Sequence, residues 1–161
     1  MLTDKSKTCC FTGHRQIPSD RLSAVVGALR DAVCALYDEG YRHFIAGGAL
    51  GFDTYAARAV LILKRERPDM TLSLFLPCLD QADAWSEKDK AEYERIKSEA
   101  DEVLTLADCY FDGCMQKRNQ AMVDASSACI AYITRPRSGA GQTVRMAERA
   151  RLTVIHTFPQ K

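Results

Sequence analysis

Glycines that directly follow short apolar runs are the residues of this sequence whose types and spacing indicate chemistry. The clearest example is the apolar run 43–46, which ends at Gly47, Gly48, Ala49 and, after one more residue, Gly51. A strand that turns sharply into a helix leaves backbone N–H groups above the sheet, and glycine lets a ligand approach them closely. The positive end of the following helix favours an anion. We therefore expect these four residues to line a phosphate site.

Asp53 follows this turn, and its position permits two interpretations. As an N-cap it would accept a backbone N–H of the helix that begins here. A carboxylate repels phosphate, so in a ligand site Asp53 would instead accept from ribose hydroxyls or orient the loop. Asp53 is also a candidate acid or base for catalysis, provided that a shielded pocket raises its pKa.

Two further turns of the same kind follow other apolar runs. After the run Thr8–Thr12, Gly13 permits close approach, Arg15 can make bidentate contacts to phosphate or carboxylate, and His14 is expected to contact a ligand rather than transfer protons. The third turn contains two arginines and two hydroxyls that could bind phosphate. The other interpretation is that this segment is only a surface loop. Its residues of interest are Arg135, Arg137, Ser138, Gly139 and Thr143.

Two more pairs of side chains could close the site. Gln81 and Trp85 follow the third apolar run, and the polar neighbours of Trp85 favour stacking on a base over a place in the core. Arg118 and Asn119 lie near the start of a helix that follows the fourth run. We expect Arg118 to neutralise ligand charge, the alternative being an ordinary pair of residues that faces solvent.

Strands and helices alternate along the whole chain. Predicted helices run from a Ser19 cap to a stop at Gly40, over Thr54–Arg65, from a polar segment 80–90 to Ala100, and over Met115–Ala125 and Gln142–Ala150, with a loop at Arg135–Gly141. The predicted strands are Thr8–Thr12, His43–Ala46, Thr71–Leu76, Glu102–Leu106, Ala128–Ile133 and Leu152–Thr157. Continuous apolar strands separated by helices predict an α/β fold, a mostly parallel sheet of about six strands covered on both faces. In such sheets ligands bind beyond the carboxyl ends of the strands, where the strand order reverses.

The bulk composition narrows the class of protein. A length of 161 residues predicts one domain over 1–161, and a net charge of +1 gives no reason to expect general attraction to nucleic acid or membrane. No apolar run approaches the roughly 20 residues of a membrane span, and the N-terminus lacks a signal-like stretch. Most of the seven cysteines lie in apolar runs, which is typical of buried thiols in the cytoplasm, and we expect no metal site.

Two common phosphate-binding motifs are missing from this sequence. The glycine spacing at Gly47 is Gly-Gly-x-x-Gly after the second strand, whereas the dinucleotide fingerprint G-x-G-x-x-G would follow the first. The Walker motif G-x-x-x-x-G-K-[ST] is also missing, which argues against a P-loop NTPase.

Taken together, the ordered motifs resemble the YpsA-like branch of the SLOG superfamily, over about Cys9 to Phe158. They are Thr12-Gly-His-Arg15, Gly47-Gly-Ala-Leu-Gly-Phe-Asp53, Gln81…Trp85, Arg118-Asn119 and Ser138-Gly139…Thr143. That superfamily includes the DNA-processing protein DprA (Smf) and the cytokinin-activating LOG phosphoribohydrolases. The resemblance implies a Rossmann-like three-layer αβα sandwich and a pocket for a nucleotide-derived ligand such as AMP, ADP-ribose or NAD, in a sensing or regulatory role; a homo-oligomer is also expected.

The same resemblance leaves two alternatives open. LOG enzymes carry P-G-G-x-G-T-x-x-E, whereas here no Glu lies three residues after Thr143, and Glu148 is displaced by two positions, about 200° around a helix. The first alternative function is hydrolysis of a nucleotide N-glycosidic bond, with Asp53 or Glu148 as the acid or base. DprA-like binding of single-stranded DNA is the second, for which the balanced charge is less suited.

Overall fold

The computed structural model describes residues 4–160, in which a parallel sheet lies between two layers of helices. Its strands are β1 (Thr8–Gly13), β2 (His43–Ala46), β3 (Thr71–Leu76), β4 (Glu102–Thr105), β5 (Ala128–Tyr132) and β6 (Thr153–His156). Its helices are α1 (Ser19–Asp38), α2 (Phe52–Lys64), α3 (Glu87–Glu99), α4 (Cys114–Asp124) and α5 (Gly139–Arg149). The predicted order and type of every strand and helix are confirmed.

The strand order across the sheet is β4-β3-β2-β1-β5-β6, and every pairing between described strands is parallel. The chain moves outward from β1 to β4, then crosses back to place β5 on the other side of β1, with Cys10 opposite Cys129. The order thus reverses between β1 and β5. This is the point at which open parallel sheets leave a crevice above the carboxyl ends of their strands.

Alternate residues of the strands face two separate apolar cores. Phe11, Phe44 and Leu74 pack with residues of α1, α2 and α3 on one face. Cys10 and Ile45 pack with residues of α4 and α5 on the other. Since both faces are covered, the central strands are buried throughout, which explains their continuous apolar sequences. The fold is a Rossmann-like three-layer αβα sandwich.

Several predicted boundaries differ from the structure at helix starts. Helix α1 begins at Ser19 itself with Pro18 at the N-cap, and the Ser19 side chain makes no capping hydrogen bond, so the predicted Ser19 cap is wrong. Helix α2 begins at Phe52 rather than Thr54, and α5 at Gly139 rather than Gln142. Gly139 and Gly141 therefore lie inside α5. A Cβ on Gly141 would overlap the Pro136 carbonyl, so glycine is required there, whereas a Cβ on Gly139 would meet nothing within 4 Å.

The outer strand β4 differs from the others in exposing apolar side chains. Most of the exposed large apolar residues in the described part of the chain lie on β4 or on the loops at its carboxyl end: Leu79, Val103, Leu104, Tyr110 and Phe111. The two loops are joined by a hydrogen bond from the Leu79 N–H to the Ala107 carbonyl, 3.1 Å long. None of the helices between residues 4 and 160 combines the length and apolar character needed to cross a membrane.

Candidate functional site

Two adjoining cavities open above the carboxyl ends of the strands. The smaller, which we call the switch-point crevice, has a volume of about 430 Å³ and lies between the ends of β1 and β5, bordered by α2, α4 and α5. The larger, the α2–α3 cavity, has a volume of about 1080 Å³ and extends from the β1 turn to helix α3. Five residues border both: Arg15, Gln16, Ala49, Asp53 and Arg135.

Most residues predicted for the site line one or both cavities. The switch-point crevice brings together predicted residues from three turns and from α4: Gly13, His14, Arg15, Ala49, Asp53, Arg118, Asn119, Ser138 and Gly139. The α2–α3 cavity adds Gly48, Gly51 and Trp85. Gly47, Gln81 and Thr143 line neither cavity. The predicted ligand contacts themselves remain predictions, and these positions define where a ligand would have to lie.

His14 ties the first turn to the third across the switch point. Its ring is 4% exposed and packs edge-on against Tyr132, with ring centroids 5.4 Å apart. Nε2 accepts the backbone N–H groups of Thr134 at 2.9 Å and Arg135 at 3.3 Å. Burial, and then the positive charge of Arg135, lower the pKa of His14 from its ordinary value. The side chain therefore acts as a neutral acceptor that holds the loop after β5.

Asp53 has a different place from the predicted N-cap of α2. Gly51 occupies the cap, with φ +79°, and a Cβ there would overlap the Arg15 backbone. Asp53 is the second helical residue, is only 6% exposed, and accepts the Ala49 N–H at 3.3 Å through Oδ2. An amide predicted to face a phosphate thus donates to a carboxylate of the chain itself. Burial raises the pKa of Asp53 to about 6, opposed mainly by the positive charge of Arg118.

Arg118 is buried beneath the glycine turn and does not face solvent. Its guanidinium donates to the Gly47 carbonyl and to the Phe75 carbonyl at 3.4 Å, while Nε donates to Asn119 Oδ1 at 2.8 Å. A Cβ built on Gly47 would lie 2.5 Å from Arg118 Nη1 and 2.9 Å from Asp53 Oδ2. Burial lowers the pKa of Arg118, and the Asp53 carboxylate opposes this. Gly47 is therefore required because these opposite charges pack against its Cα.

The third turn uses its hydroxyls to begin α5. Ser138 is the N-cap: its Oγ accepts the Gly141 N–H at 3.0 Å and donates to the Arg135 carbonyl at 2.7 Å. Thr143 is fully buried and donates to the Gly139 carbonyl at 3.0 Å. Glu148 is exposed near the far end of α5 and lines neither cavity. Its position therefore argues against the predicted role of Glu148 as an acid or base.

Aromatic residues and α3 form the outer wall of the α2–α3 cavity. Trp85 is half-buried and packs edge-on against Tyr93, with ring centroids 5.1 Å apart. Gln81 lies behind this wall and donates to the Gly48 carbonyl at 3.5 Å and to Tyr93 Oη at 3.4 Å. Its position supports the glycine turn, since its amide faces the turn's backbone.

Sequence reasoning missed several residues of these cavities. Arg135 was recognised as available for phosphate but not included among the expected ligand residues, although it borders both cavities. From α3, Lys88, Glu92 and Arg95 line the larger cavity, with Glu92 bonded to Arg58 at 2.7 Å and to Arg95 at 2.6 Å. The spacing of 88, 92 and 95 places them on one helix face, a signal that the sequence does contain.

Across residues 4–160, no group of three or more His, Cys, Asp or Glu side chains is arranged to hold a metal ion. The seven cysteines are all free thiols, and Cys9, Cys10, Cys78, Cys114 and Cys129 are buried.

Residues 10–152 match the YpsA family model, described as the YspA SLOG family. A UPF0398 protein from Bacillus thuringiensis (strain Al Hakam) is 32% identical over 114 residues, which are 70% of this chain and 62% of that protein. The chain thus spans about three-fifths of the length of that relative. The uncharacterized SPbeta prophage-derived protein YoqJ of Bacillus subtilis (strain 168) is 30% identical over 145 residues, covering 83% of this chain and 81% of YoqJ.

Among solved structures, DNA processing protein A from Helicobacter pylori, described with a single-stranded DNA binding mode, superposes with a TM-score of 0.68. Its sequence is 17% identical, and the match covers 98% of this chain and 67% of that one. At this identity the likeness concerns the fold alone.

Proposed function

The chain belongs to the YspA SLOG family, and from this premise we propose that it binds a nucleotide or nucleotide-derived ligand across the two adjoining cavities. The anionic group would occupy the switch-point crevice and the nucleoside the α2–α3 cavity. We further propose a sensing or regulatory role, in which occupancy of the site is the signal.

One observation carries this proposal: the switch-point crevice gathers the starts of two helices and several basic side chains. Asp53 marks the start of α2, and Gly139 and Ala140 the start of α5, while Arg15, Arg118 and Arg135 supply positive charge. Helix N-termini and arginines both favour an anion, and such crevices are the usual ligand sites of open parallel sheets.

The larger cavity suits a nucleoside. Its wall includes the half-buried Trp85, whose ring would stack on a base, and Tyr55, over whose ring the Arg58 guanidinium lies at 5.4 Å. Asp53 borders both cavities and has acceptor capacity beyond its bond to Ala49, so it would receive a ribose hydroxyl between the two halves of the ligand. A volume of about 1080 Å³ lies just above the usual range of roughly 300 to 1,000 Å³ for small-molecule sites.

Calorimetric titration of the protein with AMP, ADP-ribose and NAD tests the proposal. We expect saturable binding of at least one, weakened about tenfold or more by Arg135→Ala, because a charge-assisted hydrogen bond is lost. Arg137→Ala is the matched control, since Arg137 is exposed on the same loop but lines neither cavity. Absence of saturable binding to all three, or equal losses in both variants, would contradict it.

Trp85 provides a second readout because it is the single tryptophan of the chain. A base that stacks on its ring should change the intrinsic fluorescence at the same ligand concentration at which calorimetry shows saturation. Fluorescence that stays constant through saturation would show that the base does not stack on Trp85. The proposed anion site in the switch-point crevice would be unaffected by that result.

Hydrolysis of a nucleotide N-glycosidic bond is a second candidate function, favoured by the raised pKa of Asp53. A buried carboxyl with a pKa of about 6 at the border of both cavities can hold a proton near neutral pH. Asp53 would donate its proton to the base as the N-glycosidic bond breaks, and water would bond to the anomeric carbon. The proton that this water loses would pass to solvent, from which the Asp53 carboxylate would be protonated again. Release of free base from AMP that Asp53→Asn abolishes would support this; no release by the parent protein would exclude AMP as a substrate.

A further inference from the structure

The two ring nitrogens of His14 lie in different surroundings. Nε2 accepts the N–H groups of Thr134 and Arg135, at 2.9 and 3.3 Å, whereas Nδ1 lies 3.5 Å from the guanidinium Nη2 of Arg135. A neutral imidazole has one acceptor nitrogen and one that carries the proton. Because Nε2 is the acceptor, the proton belongs on Nδ1.

This assignment leaves two donors side by side in the switch-point crevice. The His14 Nδ1–H cannot bond to Arg135, because a guanidinium only donates. Both residues line the crevice, and His14 is 4% exposed, so its donor is sheltered from bulk water. Two adjacent donors, one of them charged, are suited to a single oxygen of an anion, which can accept from both.

We propose that neutral His14 binds the ligand directly: Nε2 holds the loop after β5, while Nδ1–H and the Arg135 guanidinium donate together to one anionic oxygen. This inference rests on the proposed function, because it assumes that the crevice takes an anionic group. It assigns the two nitrogens different tasks, and each task can be removed separately.

The first test is the tautomer of His14 in the ligand-free protein at pH 7.5. Nitrogen-15 NMR of the ring distinguishes the nitrogen that carries the proton, and a His14→Gln sample identifies the signals among the three histidines of the chain. We expect the proton on Nδ1. A proton on Nε2, or a doubly protonated ring, would overturn the inference without touching the proposed function.

The second test separates the two tasks with paired variants and inorganic sulfate as the probe, since the charge of sulfate is constant near neutral pH. His14→Gln places an acceptor near the position of Nε2 but lacks a donor at Nδ1. It should unfold at nearly the parent temperature and bind sulfate about tenfold more weakly or worse. His14→Asn keeps a donor near Nδ1 but lacks the distant acceptor, so it should unfold at a lower temperature.

The outcomes distinguish this inference from the proposed function. Undetectable sulfate binding by the parent protein, or equal sulfate affinity in His14→Gln, overturns the inference. Nucleotide binding that is unchanged in His14→Gln also overturns it, yet leaves the proposed function intact. Sulfate binding that depends on His14, with no binding of AMP, ADP-ribose or NAD, supports the inference and contradicts the nucleotide proposal. If His14→Gln fails to fold, samples of His43→Gln and His156→Gln identify the His14 signals by elimination, and the NMR test on the parent still decides the matter.

Discussion

At the scale of single residues, Asp53 places a carboxylate inside a turn whose sequence predicts a phosphate site. Its carboxylate receives the Ala49 N–H and faces the buried charge of Arg118. The glycine turn is therefore satisfied largely by groups of the chain itself. The anion of a ligand would depend instead on the turns after β1 and β5, where Arg15, His14 and Arg135 converge.

The raised pKa of Asp53 predicts a pH-dependent stability. Its pKa in the folded chain is about 6, against an ordinary value of 3.8, so the folded state binds more protons between these values. The contribution of Asp53 to stability is therefore complete below pH 3.8 and lost as the pH rises through about 6. Relative to Asp53→Asn, the parent should lose about 2 to 3 kcal/mol of unfolding free energy between roughly pH 4 and pH 7. Urea unfolding across this range measures it, and a difference that stays constant with pH would contradict the burial of Asp53.

The lowered pKa of His14 predicts a stability that changes with pH in the opposite direction to that of Asp53. Because its pKa is lowered, the unfolded chain takes up the proton first, so the contribution of His14 is present above about pH 6.5 and is lost as the pH falls through the lowered value. Tyr132 and Arg135 on the β5 side contact the ring or act on its charge, and the charged residues that share the crevice with it are Arg15 on its own turn, Asp53 on α2 and Arg118 on α4. His14→Gln should remove this acid loss while the Asp53 transition remains. If the unfolding free energies of the parent and the variant change in parallel between pH 5 and pH 7, the conclusion that His14 is a neutral acceptor in the folded chain is wrong.

At the scale of elements, the start of α2 depends on the backbone freedom of Gly51. Its φ of +79° suits glycine, and a Cβ there would overlap the Arg15 backbone. Gly51→Ala should therefore lower the unfolding free energy by about 2 kcal/mol or more. The matched control is Gly27→Ala in α1, where a Cβ meets nothing within 4 Å and the free energy should rise by roughly 0.5 to 1 kcal/mol. Denaturant unfolding of both variants compares the two sites directly, and a neutral Gly51→Ala would contradict the close approach of the turns.

The N-caps of α3 and α5 offer a comparison between stability and binding. Ser86 and Ser138 each accept an N–H three residues ahead, at 3.1 and 3.0 Å. Replacing either with Ala should cost about 1 kcal/mol of unfolding free energy. Only Ser138 borders the switch-point crevice, so only Ser138→Ala should also weaken sulfate binding. Equal effects of the two variants on sulfate affinity would contradict the assignment of the α5 N-terminus to the anion site.

The sequence predicts the elements well and their starting residues less well. Central strands such as β1 and β5 are found because burial on both faces makes them continuously apolar. Helix starts fail where local preference is overridden by contacts with distant segments. Gly139 and Gly141 are typical loop residues, yet both lie in the first turn of α5, where Gly141 packs closely against the Pro136 backbone. Likewise the positive charge that acts on Asp53 comes from Arg118 on α4, which is remote in sequence.

At the scale of the whole molecule, the strand order predicts a gradient of protection from hydrogen exchange. The inner strands β1, β2, β3 and β5 have a neighbour on each side, whereas β4 and β6 are the outer strands of the described sheet. Amide exchange followed by mass spectrometry should be slowest in β1 and β5 and fastest in β4 and β6. Protection of β4 that increases with protein concentration would indicate that a second copy covers Leu104 and its apolar neighbours, which would be one form of the expected homo-oligomer. Protection as high in β4 as in β1 at every concentration would contradict the order of the sheet.

The position of the site follows from topology more than from any single motif. Alternating strands and helices predict a ligand above the carboxyl edge, and most of the expected residues do line the two cavities there. The division into two cavities was not predictable, because it depends on how α3 lies relative to α2. Lys88 and Glu92 of α3 provide that outer wall.

The pairing of β1 with β5 also determines the order in which the sheet can assemble during synthesis of the chain. Strands β1 to β4 are neighbours both in sequence and in space, so they can assemble as the chain emerges from the ribosome. The edge of β1 that will face β5 must then wait, with Cys10 and Phe11 unpaired, until residues 128–132 have been synthesised. The switch-point crevice is consequently completed late, and during synthesis the open β1 edge needs protection from pairing with other strands.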